Sequence, residues 1–331
     1  MNSTLRDKIF SIENQTDFRN AALQLFEYQY YNNAVYHDFA KHLKKNPASI
    51  TTETDLPFLP VEFFRNHKII TGDKQVEQVF ESSGTTGNLT GRHFVCDPGL
   101  YTESFVKSFR LFYGDPEDFM IAALLPSYTE RENSSLVYMA DSLIKMSRNR
   151  LSGFYREHEE ELIKNLLSAR KTGIKALLLG VSFALLDLAE KSSPDLSGVI
   201  IMETGGMKGR RKELTRHELH ALLKRGFNVP EIHSEYGMTE LLSQAYSKGN
   251  GIYYSPPWMK ILLRDTQDPL TIITEPGRTG GINIIDLANI YSCSFIATGD
   301  LGRLHEDGGF EVLGRFDNSD IRGCNLLVES T

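Results

Sequence analysis

Cysteine and tryptophan are scarce in this chain of 331 residues, which holds three Cys and one Trp. Cys96, Cys293 and Cys324 are odd in number and widely spaced, which excludes a disulfide framework and a metal knuckle. Long apolar runs are also lacking. The longest, Ala176 to Gly180 with Val181, has the length of a buried strand and falls far short of the roughly 20 residues of a membrane helix. The N-terminus, Met1 to Lys8, is polar and has no signal-peptide core. Positive charge is not in excess: a net charge of −7 gives no support for nonspecific nucleic-acid binding. The kinase-type phosphate loop, Gly-x-x-x-x-Gly-Lys-Ser/Thr, is missing, as are internal repeats and low-complexity tracts. These absences point to a cytoplasmic protein that handles small molecules or protein partners, with no nucleic acid and no membrane insertion.

What is present is an ordinary globular composition, 40% hydrophobic and 24% charged, in a length that suits about two domains. Residues 1–50 read as a helical N-terminal segment whose aromatics, Phe18, Phe26, Tyr36 and Phe39 among them, recur at spacings of three and four. That is the pattern of a helix face on a core. Pro57 and Pro60 bracket an extended piece. Residues 51–251 alternate apolar strand-like runs with helical patterns. Strands are expected at Phe119–Leu125, Lys175–Gly180, Gly198–Met202 and Glu231–Ser234. Helices are expected at Thr102–Phe112, Leu136–Met146, His158–Arg170, Phe183–Lys191 and Lys212–Arg225. Such alternation indicates an α/β core with a parallel-rich sheet, which binds ligands beyond the carboxyl ends of its strands. Residues 252–323 lose the helical period and carry turn pairs at Pro276-Gly277, Gly280-Gly281 and Asp307-Gly308, the marks of a β-rich, barrel-like subdomain. Residues 324–331 form a short tail.

One stretch stands apart: Glu81-Ser-Ser-Gly-Thr-Thr-Gly-Asn-Leu-Thr-Gly-Arg-His93 packs three glycines and five hydroxyl side chains into thirteen residues. Glycines let backbone amides converge on an anion, and hydroxyls add neutral donors, so the loop suits a polyphosphate. Taken alone it reads equally well as a solvated linker. Three further stretches stand with it: Glu235-Tyr236-Gly237-Met238-Thr239-Glu240, Thr298-Gly299-Asp300-Leu301-Gly302, and Gly314-Arg315-Phe316-Asp317 through Gly323.

The order and spacing of these four stretches resemble the signature of the adenylate-forming superfamily, which includes acyl-CoA ligases, peptide-synthetase adenylation domains and luciferases. Within it the chain resembles the acyl-protein synthetase (LuxE-like) family, related to phenylacetate–CoA ligases. The Leu56 to Phe64 segment and Thr204-Gly205-Gly206-Met207-Lys208-Gly209-Arg210 add to the likeness. The fold implied is a large adenylate-forming domain with a β-rich C-terminal subdomain. The activity implied is ATP- and Mg2+-dependent conversion of a fatty or other carboxylic acid to an acyl-adenylate, then transfer to a protein thiol. The alternatives are transfer to CoA or to an acyl carrier, and a nucleotide-binding scaffold with weakened catalysis. An acyl-reductase or acyl-carrier protein is the implied partner.

By the resemblance, Ser83, Gly84, Thr85, Thr86 and Gly87 cradle the phosphates, Thr239 donates to the α-phosphate, and Glu240 holds Mg2+. Tyr236 and Gly237 lie at the adenine, Gly205 and Gly206 let the backbone approach the base edge, Asp300 serves the ribose, and Arg315 supports the same ribose or the phosphate. Cys324 is the implied acyl acceptor, against the alternative of a small apolar filler, whereas Cys96 and Cys293 read as core. Two departures stand out. Thr90 occupies the place of the family's loop lysine, and only eight residues follow Gly323, so the family's small lid domain and its lysine are expected to be missing. Arg92, Lys145, Lys208 and Arg211 are the candidate replacement cations. His217 and His220 read as surface residues, and His233 as a crevice residue.

Overall fold

The computed structural model describes residues 2–82, 90–126, 132–205 and 214–316. Along the chain the elements are α1 (Asn2–Ile9), α2 (Gln15–Asn32), α3 (Ala34–His42), β1 (Leu59–Pro60), α4 (Phe63–Asn66), β2 (Gln78–Glu81) and β3 (Arg92–Val95). Then come α5 (Pro98–Tyr113), β4 (Phe119–Leu124), α6 (Ser135–Ser147), β5 (Gly153–Phe154), α7 (Glu159–Lys171), β6 (Lys175–Val181) and α8 (Ser182–Ser192). These are followed by β7 (Ile200–Thr204), α9 (Arg216–Phe227), β8 (His233–Tyr236), β9 (Ala245–Ser247) and β10 (Ile252–Tyr253). The last five are β11 (Met259–Arg264), β12 (Ile272–Ile273), β13 (Thr279–Asp286), β14 (Phe295–Leu304) and β15 (Phe310–Arg315). No helix among the described residues is long and apolar enough to cross a membrane.

The chain packs as two compact units. One is the continuous stretch Val76–Pro256; the other joins Met1–Gln75 to the chain from Pro257 on. The helical N-terminal segment therefore shares a unit with the C-terminal strands. Two kinds of bond make the joint. β1 pairs in parallel with β14, Leu59 facing Ile296. The buried Gln29 amide donates to the carbonyls of Asn289 (2.9 Å) and Ile290 (3.1 Å) and accepts from Ser294 N (3.0 Å). Phe26, Tyr36 and Phe295 fill the core beneath, the last two with rings stacked 5.8 Å apart. Aromatic spacing in α2 and α3 is thus core packing.

The sheet of this unit runs β12-β11-β13-β14-β15 in antiparallel order. Asp307 and Gly308 turn the chain between β14 and β15, with Gly308 at φ +84°. Gly280-Gly281, expected to be a turn, lies inside β13 instead. The pair is needed for close approach: a Cβ on Gly280 would stand 2.6 Å from the Arg264 carbonyl oxygen, and the register shifts just beyond, between Gly281 and Asn283.

The continuous unit is built on a sheet in the order β5-β4-β6-β7-β8-β9, parallel throughout except for β9. The strands between helices are apolar on both faces, as β4 and β6 read in the sequence, because helices cover both sides. Leu162 and Leu166 of α7, Leu185 and Leu186 of α8, and Leu219 and Leu223 of α9 pack with Leu178 and Ile201 of the sheet. α9 starts at Arg216, later than the expected Lys212, of which 212 and 213 lie outside the described residues. Thr215 closes a capping box there, accepting from Glu218 N while its own N–H donates to the Glu218 carboxylate at 2.8 Å. β8 is displaced two residues from the expected Glu231–Ser234. It begins pairing at His233, past Pro230, which has no N–H to offer.

Candidate active site

β7 and β8 pair through Glu203↔Ser234 and Thr204↔Glu235, so two of the sequence motifs leave the sheet side by side. Gly205 follows at φ +65°, a left-handed conformation that glycine adopts freely, and its neighbour Gly206 lies outside the described residues. Across from it Tyr236 ends β8, buried, with its ring edge-to-face on Tyr253 at 5.9 Å. Gly237 leaves little room for a side chain. A Cβ there would stand 2.4 Å from Glu235 Oε1. The two glycines themselves are exposed, as backbone that a ligand approaches must be.

The hairpin β2–β3 carries the glycine-rich stretch at its tip, with Glu81 facing Arg92. Ser83, Gly84, Thr85, Thr86 and Gly87 lie outside the described residues, but the feet of the stretch are fixed. Ser82 N donates to Gly91 O at 2.9 Å, and Gly91 N donates to Ser82 Oγ at 2.8 Å. Against that foot sits Glu240. Its Oε1 is 2.6 Å from the point a Cβ on Gly91 would occupy, and the residue is 6% exposed. Thr239 is held beside it by His93 of β3, whose Nδ1–H donates to the Thr239 carbonyl at 2.9 Å. Burial lowers His93 to about 4 despite that bond, so the ring is neutral and its tautomer fixed. Residues 237–244 form a turn, with Leu241 N donating to Met238 O at 3.1 Å, and no helix begins there. Glu240 is therefore not a helix N-terminal carboxylate. The structure thus brings Thr239, Glu240 and the foot of the glycine-rich stretch into one place.

Among the described residues no three His, Cys, Asp or Glu side chains cluster as a metal cage. A single buried carboxylate still fits Mg2+, which keeps most of its waters and takes one or two carboxylates plus phosphate oxygens. Of the candidate cations, Arg92 is exposed on β3 over the Phe94 ring at 5.5 Å, and Lys145 pairs with Asp141 at 2.6 Å on α6. Lys208, Arg211 and Cys324 lie outside the described residues.

A polar network that sequence reasoning missed lies under the same strand ends. Glu203, fully buried, accepts from Arg216 Nη1 at 2.8 Å, Ser234 Oγ at 2.9 Å and Ser182 Oγ at 3.0 Å, and His220 Nε2 stands at 3.5 Å. Burial works to raise this carboxyl, but the hydrogen bond from His220 and the Arg216 charge outweigh it and hold it below its ordinary value. The Ser182 hydroxyl also reaches the carbonyl of Gly205. His220, expected at the surface, is buried against Glu203, whereas His217 is exposed. The sequence signal was there: Glu203 follows the apolar run Ile200-Ile201-Met202 within β7, and a carboxylate in such a strand needs donors. Its neighbour Glu235 accepts from Thr204 Oγ1 at 2.5 Å, and burial pushes it up to about 7. His233 meets Tyr113 Oη at 3.2 Å and is lowered by burial to about 4.

Asp300 and Arg315 belong to the other unit, where they pair across β14 and β15 with Oδ1 and Nε 3.7 Å apart. Arg315 is largely exposed and Asp300 is not. Cys96 and Cys293 are buried, and burial pushes the Cys293 thiol up to about 12.

Over 328 residues the chain is 23% identical to a long-chain-fatty-acid–luciferin-component ligase of Vibrio harveyi, a match covering 92% of this chain and 85% of that one. Among solved structures, an ATP-bound MatB from Rhodopseudomonas palustris matches with a TM-score of 0.54 at 13% identity, covering 74% of this chain and 49% of that one. A 2-hydroxyisobutyryl-CoA ligase in a postadenylation state matches with a TM-score of 0.64 at 12% identity, covering 92% and 69% respectively. The chain thus spans about half the length of the first of these structures. No protein-family model matches. The fold is that of adenylate-forming ligases, and the resemblance to a LuxE-like ligase extends over nearly the whole chain.

Proposed function

We propose that the chain activates a carboxylic acid of the fatty class with ATP, forming an acyl-adenylate and releasing pyrophosphate, and then passes the acyl group to a protein thiol. A carboxylate is a poor electrophile, so its oxygen attacks the α-phosphorus and pyrophosphate leaves. The thiolate then attacks the acyl carbon, and AMP leaves. The observation that carries this reading is the buried Glu240 carboxylate set against Gly91, where a glycine-rich stretch meets the Tyr-Gly-Met-Thr-Glu turn. A buried carboxylate at that point is suitably placed for a cation that accompanies polyphosphate.

In this reading the amides and hydroxyls of Ser83 to Gly87 receive the β- and γ-phosphates, and Thr239 donates to the α-phosphate. Glu240 would hold Mg2+, which would neutralise charge on the phosphates. Tyr236, Gly237, Gly205 and Gly206 receive the adenine, and the oxygens of Asp300 accept from the ribose hydroxyls with Arg315 beside it. Cys324 is the proposed acceptor, with a cytoplasmic acyl-reductase or acyl-carrier protein taking the acyl group onward.

ATP–pyrophosphate exchange tests the first half. Exchange dependent on a fatty acid, and abolished in Glu240→Ala, is expected; ATP binding without exchange for any acid would leave only a nucleotide scaffold. For the second half, radiolabelled acid should become covalently attached to the wild type and not to Cys324→Ser. Label retained on the variant would assign the acceptor elsewhere.

A further inference from the structure

Behind Gly237, the space between α5 and the β8–β9 edge holds more polar groups than its packing satisfies. Ser104, Ser108 and Phe112 share one face of α5, being four residues apart. The first meets Ser243, Oγ to Oγ at 3.0 Å, and the last meets the Tyr246 ring at 5.3 Å. Ser108 therefore lies opposite the intervening residues, Gln244 and Ala245. Ser108 Oγ, Gln244 Oε1 and Tyr246 Oη are all buried without a hydrogen-bond partner among the described residues. The residues that carry them are 0%, 2% and 1% exposed. Cross-strand register adds Glu235, which faces Tyr246. The same Gly237 Cβ position that lies 2.4 Å from Glu235 Oε1 lies 3.4 Å from Gln244 Cγ.

Three unmatched polar atoms in one layer are not a packing accident. A buried group left unpaired is costly, and native interiors hold few of them. The layer also adjoins the strand end where the acid is activated in the reading above, and its walls are aromatic. An apolar wall with a few convergent polar atoms is the usual make-up of a small-molecule site. We propose that this layer is the specificity end of the acid site and that it recognises a hydroxyl group carried on the substrate's chain.

The chemistry selects a hydroxyl. Gln244 Oε1 only accepts, whereas the Ser108 and Tyr246 hydroxyls both donate and accept, so a ligand group that does both matches all three. A second carboxylate would bring an uncompensated charge into the layer beside the Glu235 carboxyl and the Gln244 amide oxygen. An ammonium would enter without a full counter-charge, because burial holds Glu235 up to about 7. The substrate class is thus a hydroxylated carboxylic acid in place of a plain alkanoic one. This inference rests on the acid-activating reading.

The test is ATP–pyrophosphate exchange by the full chain, with a saturated acid compared with its hydroxy- and amino-substituted analogues of equal length. A hydroxy acid should exceed its parent in kcat/KM by about tenfold or more, since sites built to bond a hydroxyl reject analogues without one. Ser108→Ala, Gln244→Met and Tyr246→Phe should each reduce that ratio. The ligand-free Ser108→Ala and Tyr246→Phe proteins should melt at a higher temperature than wild type, because each loses an unpaired buried hydroxyl. A parent or amino acid preferred by the wild type would overturn the proposal, as would a ratio unmoved in all three variants. A fall in melting temperature for both hydroxyl deletions would overturn it without reference to activity. Exchange with no acid at all would overturn the acid-activating reading, and this inference with it.

Discussion

Gly91→Ala separates activity from stability. The added Cβ would stand 2.6 Å from Glu240 Oε1 and 3.3 Å from Ser82 Oγ. The first distance is shorter than any real contact, so the carboxylate must retreat by about 0.5–1 Å. Gly91 is not in the left-handed region, so alanine adds no backbone strain there. Stability should hardly move. The clash is with the far end of a side chain, and replacing glycine gains about 0.4–1 kcal/mol by restricting the unfolded chain. Activity should fall. Mg2+ tolerates little departure from octahedral geometry, and a misplacement of about 1 Å costs about 100-fold. We expect acid-dependent ATP–pyrophosphate exchange to drop about 10- to 100-fold, or about 1.4–2.7 kcal/mol in transition-state free energy. The Mg2+ concentration for half-maximal rate should rise in parallel. Urea denaturation should give an unfolding free energy within about 1 kcal/mol of wild type. Exchange at the wild-type rate would refute the reasoning, and so would a loss of rate matched by an equal loss of stability.

Removing the Glu203 carboxylate with Glu203→Ala should cost about 3–5 kcal/mol in urea denaturation, because it strands Arg216 and His220 in a buried network; a loss below about 1 kcal/mol would show the network to be incidental. Glu235 sets a pH dependence. Its folded pKa is raised to about 7, so the folded state holds the proton more tightly, and the stabilisation is complete below the ordinary carboxylate pKa and lost as pH rises towards 7. The wild type should therefore lose about 3 kcal/mol relative to Glu235→Gln between pH 4.5 and 7.5, and parallel pH profiles would contradict this. His93 and His233, both lowered to about 4, work in the opposite sense, losing stability as pH falls below the ordinary histidine value. Both are present in both proteins, so the difference isolates Glu235. Finally, native Cys324→Ser should take up no thiol reagent until it is unfolded, since Cys96 and Cys293 are buried; rapid labelling of either would disprove their burial.

The parallel core was legible because its strands are apolar on both faces and its helices keep a clear stripe, as in Leu162, Leu166 and Ala169 of α7. Motif order made the strand ends of β7 and β8 legible as one place. Three things were hidden for physical reasons. Gly280-Gly281 has the composition of a turn, but glycine serves equally where a neighbouring strand presses close, and only tertiary packing decides between the two. His220 looks like a surface residue on a charged helix until its partner Glu203, seventeen residues earlier in the chain, is known. The joining of residues near the N-terminus to the C-terminal strands depends on β1, two residues long, whose pairing with Ile296 and Ala297 leaves no local pattern.

That last pairing has a consequence for synthesis. The continuous unit leaves the ribosome whole once Pro256 has emerged, and its neighbours in space are mostly neighbours in sequence. Its partner unit cannot be completed until the residues around Ile296 arrive. At elongation rates of about 5–20 residues per second, Leu59 waits on the order of 10–50 seconds for its strand partner. Throughout that interval the apolar faces of α2 and α3 have no sheet to cover them. This early-made segment is thus buried late, and it is one that a holding chaperone would meet.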